Sequence, residues 1–144
     1  MPKSIVIIPT YNEKENIRQI ITEVLSLDPN IDVLVVDDGS PDGTADIVRS
    51  LQAEQTRIHL ITRQGKLGLG TAYITGFKWG LQRDYEYLIE MDADFSHPPF
   101  KVLELIEACE KNADLAVGSR YVKGGKVTDW PWDRLFLSYG ASLY

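Results

Sequence analysis

The sequence predicts a three-layer α/β fold on a mainly parallel sheet, and two observations predict it. Short runs rich in β-branched residues alternate with stretches whose apolar residues recur at helical spacing. The runs are apolar on both faces, and the stretches between them are long enough to be crossover helices, as parallel pairing requires.

Residues 4–10, SIVIIPT, form the first expected strand, and Ile17, Ile20, Ile21, Val24 and Leu25 follow as one face of a helix. Residues 31–38, IDVLVVDD, are the second strand, and Ala45, Ile47, Val48 and Leu51 mark the second helix. IHLIT at 58–62 is the third strand, leading into a glycine-punctuated helix with Ala72, Phe77 and Leu81. YEYLIEMD at 85–92 precedes a helix opened by Pro98 and Pro99 that carries Val102, Leu103, Ile106 and Cys109. DLAVGSR at 114–120 is the fifth strand. Residues 121–144 break the alternation with glycines and two tryptophans, and read as an appended loop and a helical end within the same domain.

A chain of 144 residues makes one domain that buries roughly two-thirds of the surface its unfolded form exposes. Its 44% hydrophobic and 25% charged residues are ordinary for a globular protein. The net charge of −6 argues against a partner gripped by counterion release, so no nucleic acid is expected. The single cysteine, Cys109, falls on an apolar helical stripe and reads as a small core residue, pointing to a reducing compartment. The N-terminal apolar run is too short for a secretory signal, and no run reaches the ~18–20 residues that cross a bilayer. A soluble chain is the expectation.

In an open parallel sheet ligands bind beyond the carboxyl ends of the strands, where loops diverge and helix N-termini converge. That edge holds Pro9 to Glu13, Asp37 to Ser40, Asp92 to Asp94, and Gly118 to Arg120, all polar or charged behind apolar runs. Asp92 and Asp94, two apart, can face the same side. They suit Mg²⁺ or Mn²⁺, which takes one or two carboxylates and completes its shell with water and phosphate oxygens. An acidic protein can thus hold an anionic nucleotide by letting a cation reverse the local sign; the alternative is an acidic turn capping the next helix. Around Asp37, Asp38 and Asp42, either Asp42 or Thr44 caps the following helix, and a carboxylate left over can accept from a ribose or base.

The glycines at 65, 68, 70 and 76 form neither a dinucleotide fingerprint nor a phosphate-binding P-loop. They let backbone approach a ligand or another segment, with Lys66 either a point charge for phosphate or a solvated side chain. His97 suits positioning, capping, acid–base work or ligation, while His59 has no evident partner. Glu13 and Glu15 sit where negative charge favours a helix dipole. Arg134 and Ser138, four apart, share a face if their segment is helical, and with Arg120 can cradle a second phosphate. Trp130 and Trp132 nearby suit either a lipid–water interface or a core.

Together, PTYNE (9–13), VDDGSPDGT (36–44), GLGTAY (68–73), MDADFSHPP (91–99) and GSRYVKGG (118–125) resemble the dolichol-phosphate mannosyltransferase family, within the GT-A family 2 glycosyltransferases. The resemblance implies a nucleotide-diphospho-sugar transferase fold, with 1–120 as the nucleotide-sugar core and 121–144 as the acceptor loop and start of a C-terminal helix. It implies that Pro9, Tyr11, Glu13, Val36 and Asp38 hold the nucleotide with Lys66 nearby. Asp92, Ala93 and Asp94 would contact the metal diphosphate and donor sugar, with Asp92 and Asp94 as metal ligands. Arg120, Arg134 and Ser138 would receive the lipid phosphate, Arg120 at the catalytic centre.

Ser96 stands where some members carry a glutamine metal ligand. Members also continue well past position 144, which implies a truncated chain, reaching its membrane through a further C-terminal part or a partner protein and working at the cytoplasmic face. The implied reaction moves a hexose, mannose from GDP-mannose above others, to a polyprenyl phosphate. Its rivals are another family 2 transferase using UDP-glucose or UDP-N-acetylglucosamine, a nucleotidyltransferase, and a non-catalytic nucleotide-sugar binding module.

Overall fold

β1 (Ser4–Thr10) is buried along its whole length and pairs in parallel with β2 (Ile31–Asp37) on one side and β4 (Tyr87–Glu90) on the other. β3 (Ile58–Thr62) adds to the outer edge of β2, again in parallel. The computed structural model describes residues 3–95, 98–111, 115–118, 125–127 and 135–139, with side chains as far as residue 110. Within them, α1 (Ile17–Leu25), α2 (Thr44–Gln52), α3 (Leu69–Leu81) and α4 (Lys101–Lys111) connect the strands, and β5 (Leu115–Gly118), β6 (Gly125–Val127) and β7 (Leu135–Tyr139) complete a sheet ordered β3-β2-β1-β4-β7-β5-β6. Every pairing is parallel except β5 with β6.

Strand alternation sorts the core into two layers. Val6, Ile8, Val33, Val35 and Ile89 pack against Ile20, Val24, Val48 and Ile106 of α1, α2 and α4. Ile5, Ile7, Leu34, Val36 and Leu88 face α3, which contributes Ala72 and Tyr73. The expected three layers and mainly parallel sheet are therefore present. α3 lies close on the sheet because Gly76 has no side chain: a Cβ there would come within 2.5 Å of Ile7 Cγ2.

Two expectations are corrected. Where a helical end is expected after residue 121, residues Leu135–Tyr139 form a strand: β7 inserts between β4 and β5, pairing Ser138 with both Glu90 and Val117. Pairing on two sides outweighs the weak local helical spacing of Arg134 and Ser138. α1 begins only at Ile17, with no acidic residue in its first turn, so Glu13 and Glu15 precede the helix. Glu13 instead holds the turn through its carbonyl, which accepts from the N–H groups of Asn16 and Ile17. Cys109 is buried, as expected. No helix among the described residues is long and apolar enough to cross a membrane.

Candidate functional site

A cleft of about 250 Å³ opens at the carboxyl ends of β1, β2 and β4. β1 and its extension supply Pro9, Thr10, Tyr11 and Glu13; Asp38 comes from just past β2; the segment beyond β4 supplies Asp92, Ala93 and Asp94. Lys66 and Gly68 from the loop before α3, and Leu69 at its start, close it, and Lys66 Nζ sits 5.0 Å from the centre of the Tyr11 ring. The nucleotide and metal candidates thus gather in one place, with a single exception. Val36 is fully buried in the α3-facing core, so its side chain does not reach the cleft.

The aspartates of VDDGSPDGT divide their work by strand parity. Asp37, buried, accepts the Thr10 hydroxyl at 2.7 Å, the Ser40 hydroxyl at 2.6 Å and the Ser40 N–H at 3.0 Å. These bonds saturate it as a structural group that ties β1 to the loop after β2. Asp42 accepts the N–H groups of Thr44 at 3.0 Å and Lys14 at 3.1 Å and so ties the start of α2 to the loop after β1, but the N-cap is Gly43 with no side-chain cap bond, so neither Asp42 nor Thr44 caps the helix as expected. Desolvation would raise its carboxyl, but the hydrogen bond from the Thr44 hydroxyl, first, and then these two N–H groups hold it below its ordinary value.

Asp38 is at the cleft and is already engaged. Arg63 Nε donates to its Oδ1 at 2.6 Å and Nη2 to its Oδ2 at 2.8 Å, a two-pronged bond between largely buried partners. Arg63 also donates to Gly68 O and Thr71 Oγ1, fastening the glycine loop to the end of β2. Gly39 makes the approach possible: its φ is +68°, and a Cβ there would stand 3.0 Å from Gly65 N. Sequence reading missed Arg63, which lies one residue past β3 in no recognisable pattern.

Asp92 and Asp94 both line the cleft, Asp92 half-buried and Asp94 exposed. The Tyr73 hydroxyl of α3 donates to Asp92 Oδ1 at 2.8 Å, a second contact that the sequence did not announce, since a tyrosine on an apolar helical stripe reads as core. Phe95 follows with φ of 60°, unusual for a bulky residue, and packs its ring against the core. Such a conformation costs about 1–3 kcal/mol and persists where its surroundings enforce it. Asn12, between the lining residues Tyr11 and Glu13, has φ of 56°.

Burial, first, and then the nearby charges of Asp94, Asp42 and Asp92 push the Glu13 carboxyl above its ordinary range, while a hydrogen bond from Asn16 pulls it down. Negative charge therefore converges on the cleft, which favours a bound cation. Among the described residues no three acidic, histidine or cysteine side chains form a closed metal cage. Two hard carboxylates with open space beside them fit Mg²⁺ or Mn²⁺, whose remaining positions go to water and diphosphate oxygens.

Ser96, His97, Arg120, Trp130, Trp132 and Arg134 lie outside the described residues, and Ser138 is described by its backbone alone. His59 does have partners, far from the cleft. Its Nε2 lies 3.4 Å from Asp32 Oδ2, which also accepts the Tyr85 hydroxyl at 2.6 Å, and its ring packs on Trp79.

The sequence profile described as Glycosyl transferase family 2 matches residues 5–143. The chain is 52% identical over 143 residues to a polyprenol monophosphomannose synthase of Mycolicibacterium smegmatis, covering 99% of this chain and 54% of that protein. It is 50% identical over 138 residues to an undecaprenyl-phosphate mannosyltransferase of Micrococcus luteus, covering 96% and 56% respectively. Among solved structures it resembles a mannosyltransferase from Pyrobaculum calidifontis in complex with GDP-Man and Mn²⁺, with a TM-score of 0.70 and 26% identity over 82% of this chain and 35% of that one. The chain spans about half the length of the curated relatives it matches.

Proposed function

The chain belongs to glycosyl transferase family 2, and from that premise we propose that it is the donor-binding part of an inverting transferase that moves mannose from GDP-mannose to a polyprenyl phosphate. The observation that carries the reading is the convergence of Tyr11, Glu13, Asp38, Lys66, Asp92 and Asp94 on one cleft at the sheet's carboxyl edge. The 52% identity to a polyprenol monophosphomannose synthase supports both sugar and acceptor. The GDP-Man and Mn²⁺ held by the Pyrobaculum enzyme support the donor and the cation.

Asp92 and Asp94 are the residues that would hold Mn²⁺ or Mg²⁺. When bound, such an ion offsets the charge that develops on a departing diphosphate. Asp38, locked by Arg63, presents a fixed acceptor edge to the nucleoside, and Lys66 brings a positive charge to the same wall. The acceptor, a phosphate monoester with a second pKa near about 6, is already anionic and needs no strong base. Positioning is then the protein's main task, assigned to Arg120, Arg134 and Ser138, which hold the lipid phosphate in line with the anomeric carbon so that its oxygen attacks with inversion. Work at a membrane surface follows from that acceptor.

A product assay tests the proposal. Incubation with GDP-mannose, a short polyprenyl phosphate and Mn²⁺ should yield an organic-soluble mannosyl lipid and GDP. Release of mannose 1-phosphate in place of GDP would indicate nucleotidyl transfer, and UDP-sugars serving better than GDP-mannose would reassign the donor. Donor binding with no turnover in a version extended to its relatives' length would leave a binding module.

A further inference from the structure

Resting on the cation site proposed above, the geometry points to Tyr73 as the positioning residue that sets Asp92 for one-oxygen ligation and so favours Mg²⁺ and Mn²⁺ over Ca²⁺. Asp92 lines the cleft, whereas Tyr73 does not line it and is only 4% exposed. Its hydroxyl reaches Asp92 Oδ1 from behind, at 2.8 Å. The reach is built into the packing. α3 sits close enough to β1 only because residue 76 is glycine, and the Tyr73 ring stacks on Phe77 with centroids 6.3 Å apart. Strand parity does the rest: Leu88 of β4 faces α3, so Asp92, an even number of residues on, turns toward the same helix.

A carboxylate with one oxygen engaged by a buried hydroxyl offers the other to an ion. Small octahedral cations at about 2.0–2.1 Å accept single oxygens readily, while the larger Ca²⁺ gains from carboxylates that can supply both. A partner that orients a metal ligand in this way commonly contributes 10–100-fold in affinity. Tyr73 therefore acts on cation affinity and on cation choice without touching the cation.

The test is Mn²⁺ and Ca²⁺ binding by isothermal titration calorimetry, with GDP present, to the parent chain, Tyr73→Phe, Asp92→Ala and the double variant. Tyr73→Phe should weaken Mn²⁺ about tenfold and Ca²⁺ much less, narrowing the preference. In the Asp92→Ala background the tyrosine change should have no further effect. Equal losses for both ions, unchanged affinities in a folded Tyr73→Phe, or additive losses in the double variant would overturn the inference. Should Tyr73→Phe fail to fold, Tyr73→His, which keeps a ring N–H donor, is measured instead, and additivity with Asp92→Ala is again the refuting result. A parent chain that binds no divalent ion would count against the cation site itself, and so against the proposed function.

Discussion

Replacing Arg63 by leucine should destabilise the protein by about 3 kcal/mol, the lower end of what removing one partner of a buried ion pair costs. The side chains of Arg63 and Asp38 are only 11% and 8% exposed, and the substitution removes both prongs of their bond, at 2.6 and 2.8 Å. What remains for Asp38 is the Leu67 N–H at 3.3 Å, too little to solvate a carboxylate. The bonds to Gly68 O and Thr71 Oγ1 vanish as well, so the loop carrying Lys66 should loosen. For a domain of this size the melting temperature should fall by roughly 10 °C. The assay is urea denaturation of the parent, Arg63→Leu, Asp38→Asn and the double variant. Neutralising Asp38 should recover most of the loss, with a coupling of about 2 kcal/mol. A change within about 0.5 kcal/mol for Arg63→Leu, or strictly additive effects, would refute the reasoning.

Three further outcomes follow from the same packing and charge arguments. Gly76→Ala should cost about 1–2 kcal/mol in a denaturant titration, because overpacking against Ile7 at 2.5 Å exceeds the helix-propensity gain, whereas Gly70→Ala, with open space around its Cβ, should be neutral or slightly stabilising. Asp37→Ala should cost about 3 kcal/mol, since it strands the Thr10 and Ser40 donors; a loss below about 1 kcal/mol would mean that water replaces them. The folded protein raises the Glu13 carboxyl above its ordinary 4.5, so ionised Glu13 opposes folding at neutral pH. Without metal, Glu13→Gln should therefore be slightly more stable at pH 7, within about 0.5 kcal/mol. That difference should shrink as pH falls through the raised value and vanish below the unfolded one; a gap that widens in acid would reverse the assignment.

Much of this architecture is readable in the chain, and the failures have physical causes. The strand runs are uniformly apolar and their carboxyl ends uniformly polar, so the sheet and the edge that carries the cleft follow from pattern alone. Parity explains the finer division: Asp38 lies on the side of Leu34 and Val36 and meets Arg63, whereas Asp37 lies on the side of Val33 and Val35 and meets Thr10. The same period places the Val36 side chain in the core. Arg63 and Tyr73 were not legible, because their partners are 25 and 19 residues away and neither residue type is unusual where it stands. β7 was missed for a related reason. LFLSY is compatible with helix or strand, and its choice is made by β4 and β5, which no local window contains.

The central claim is that the paired aspartates of the cleft bind a sugar nucleotide through a divalent cation. Melting temperatures with GDP-mannose, with Mn²⁺ and with both, for the parent and for Asp94→Ala, test it most directly. A ligand at about 100 times its dissociation constant stabilises the folded state by about 2.7 kcal/mol, so the parent should melt several degrees higher only when both are present, and Asp94→Ala should not. An equal shift in the two proteins, or a parent shift that ignores Mn²⁺, would contradict the account.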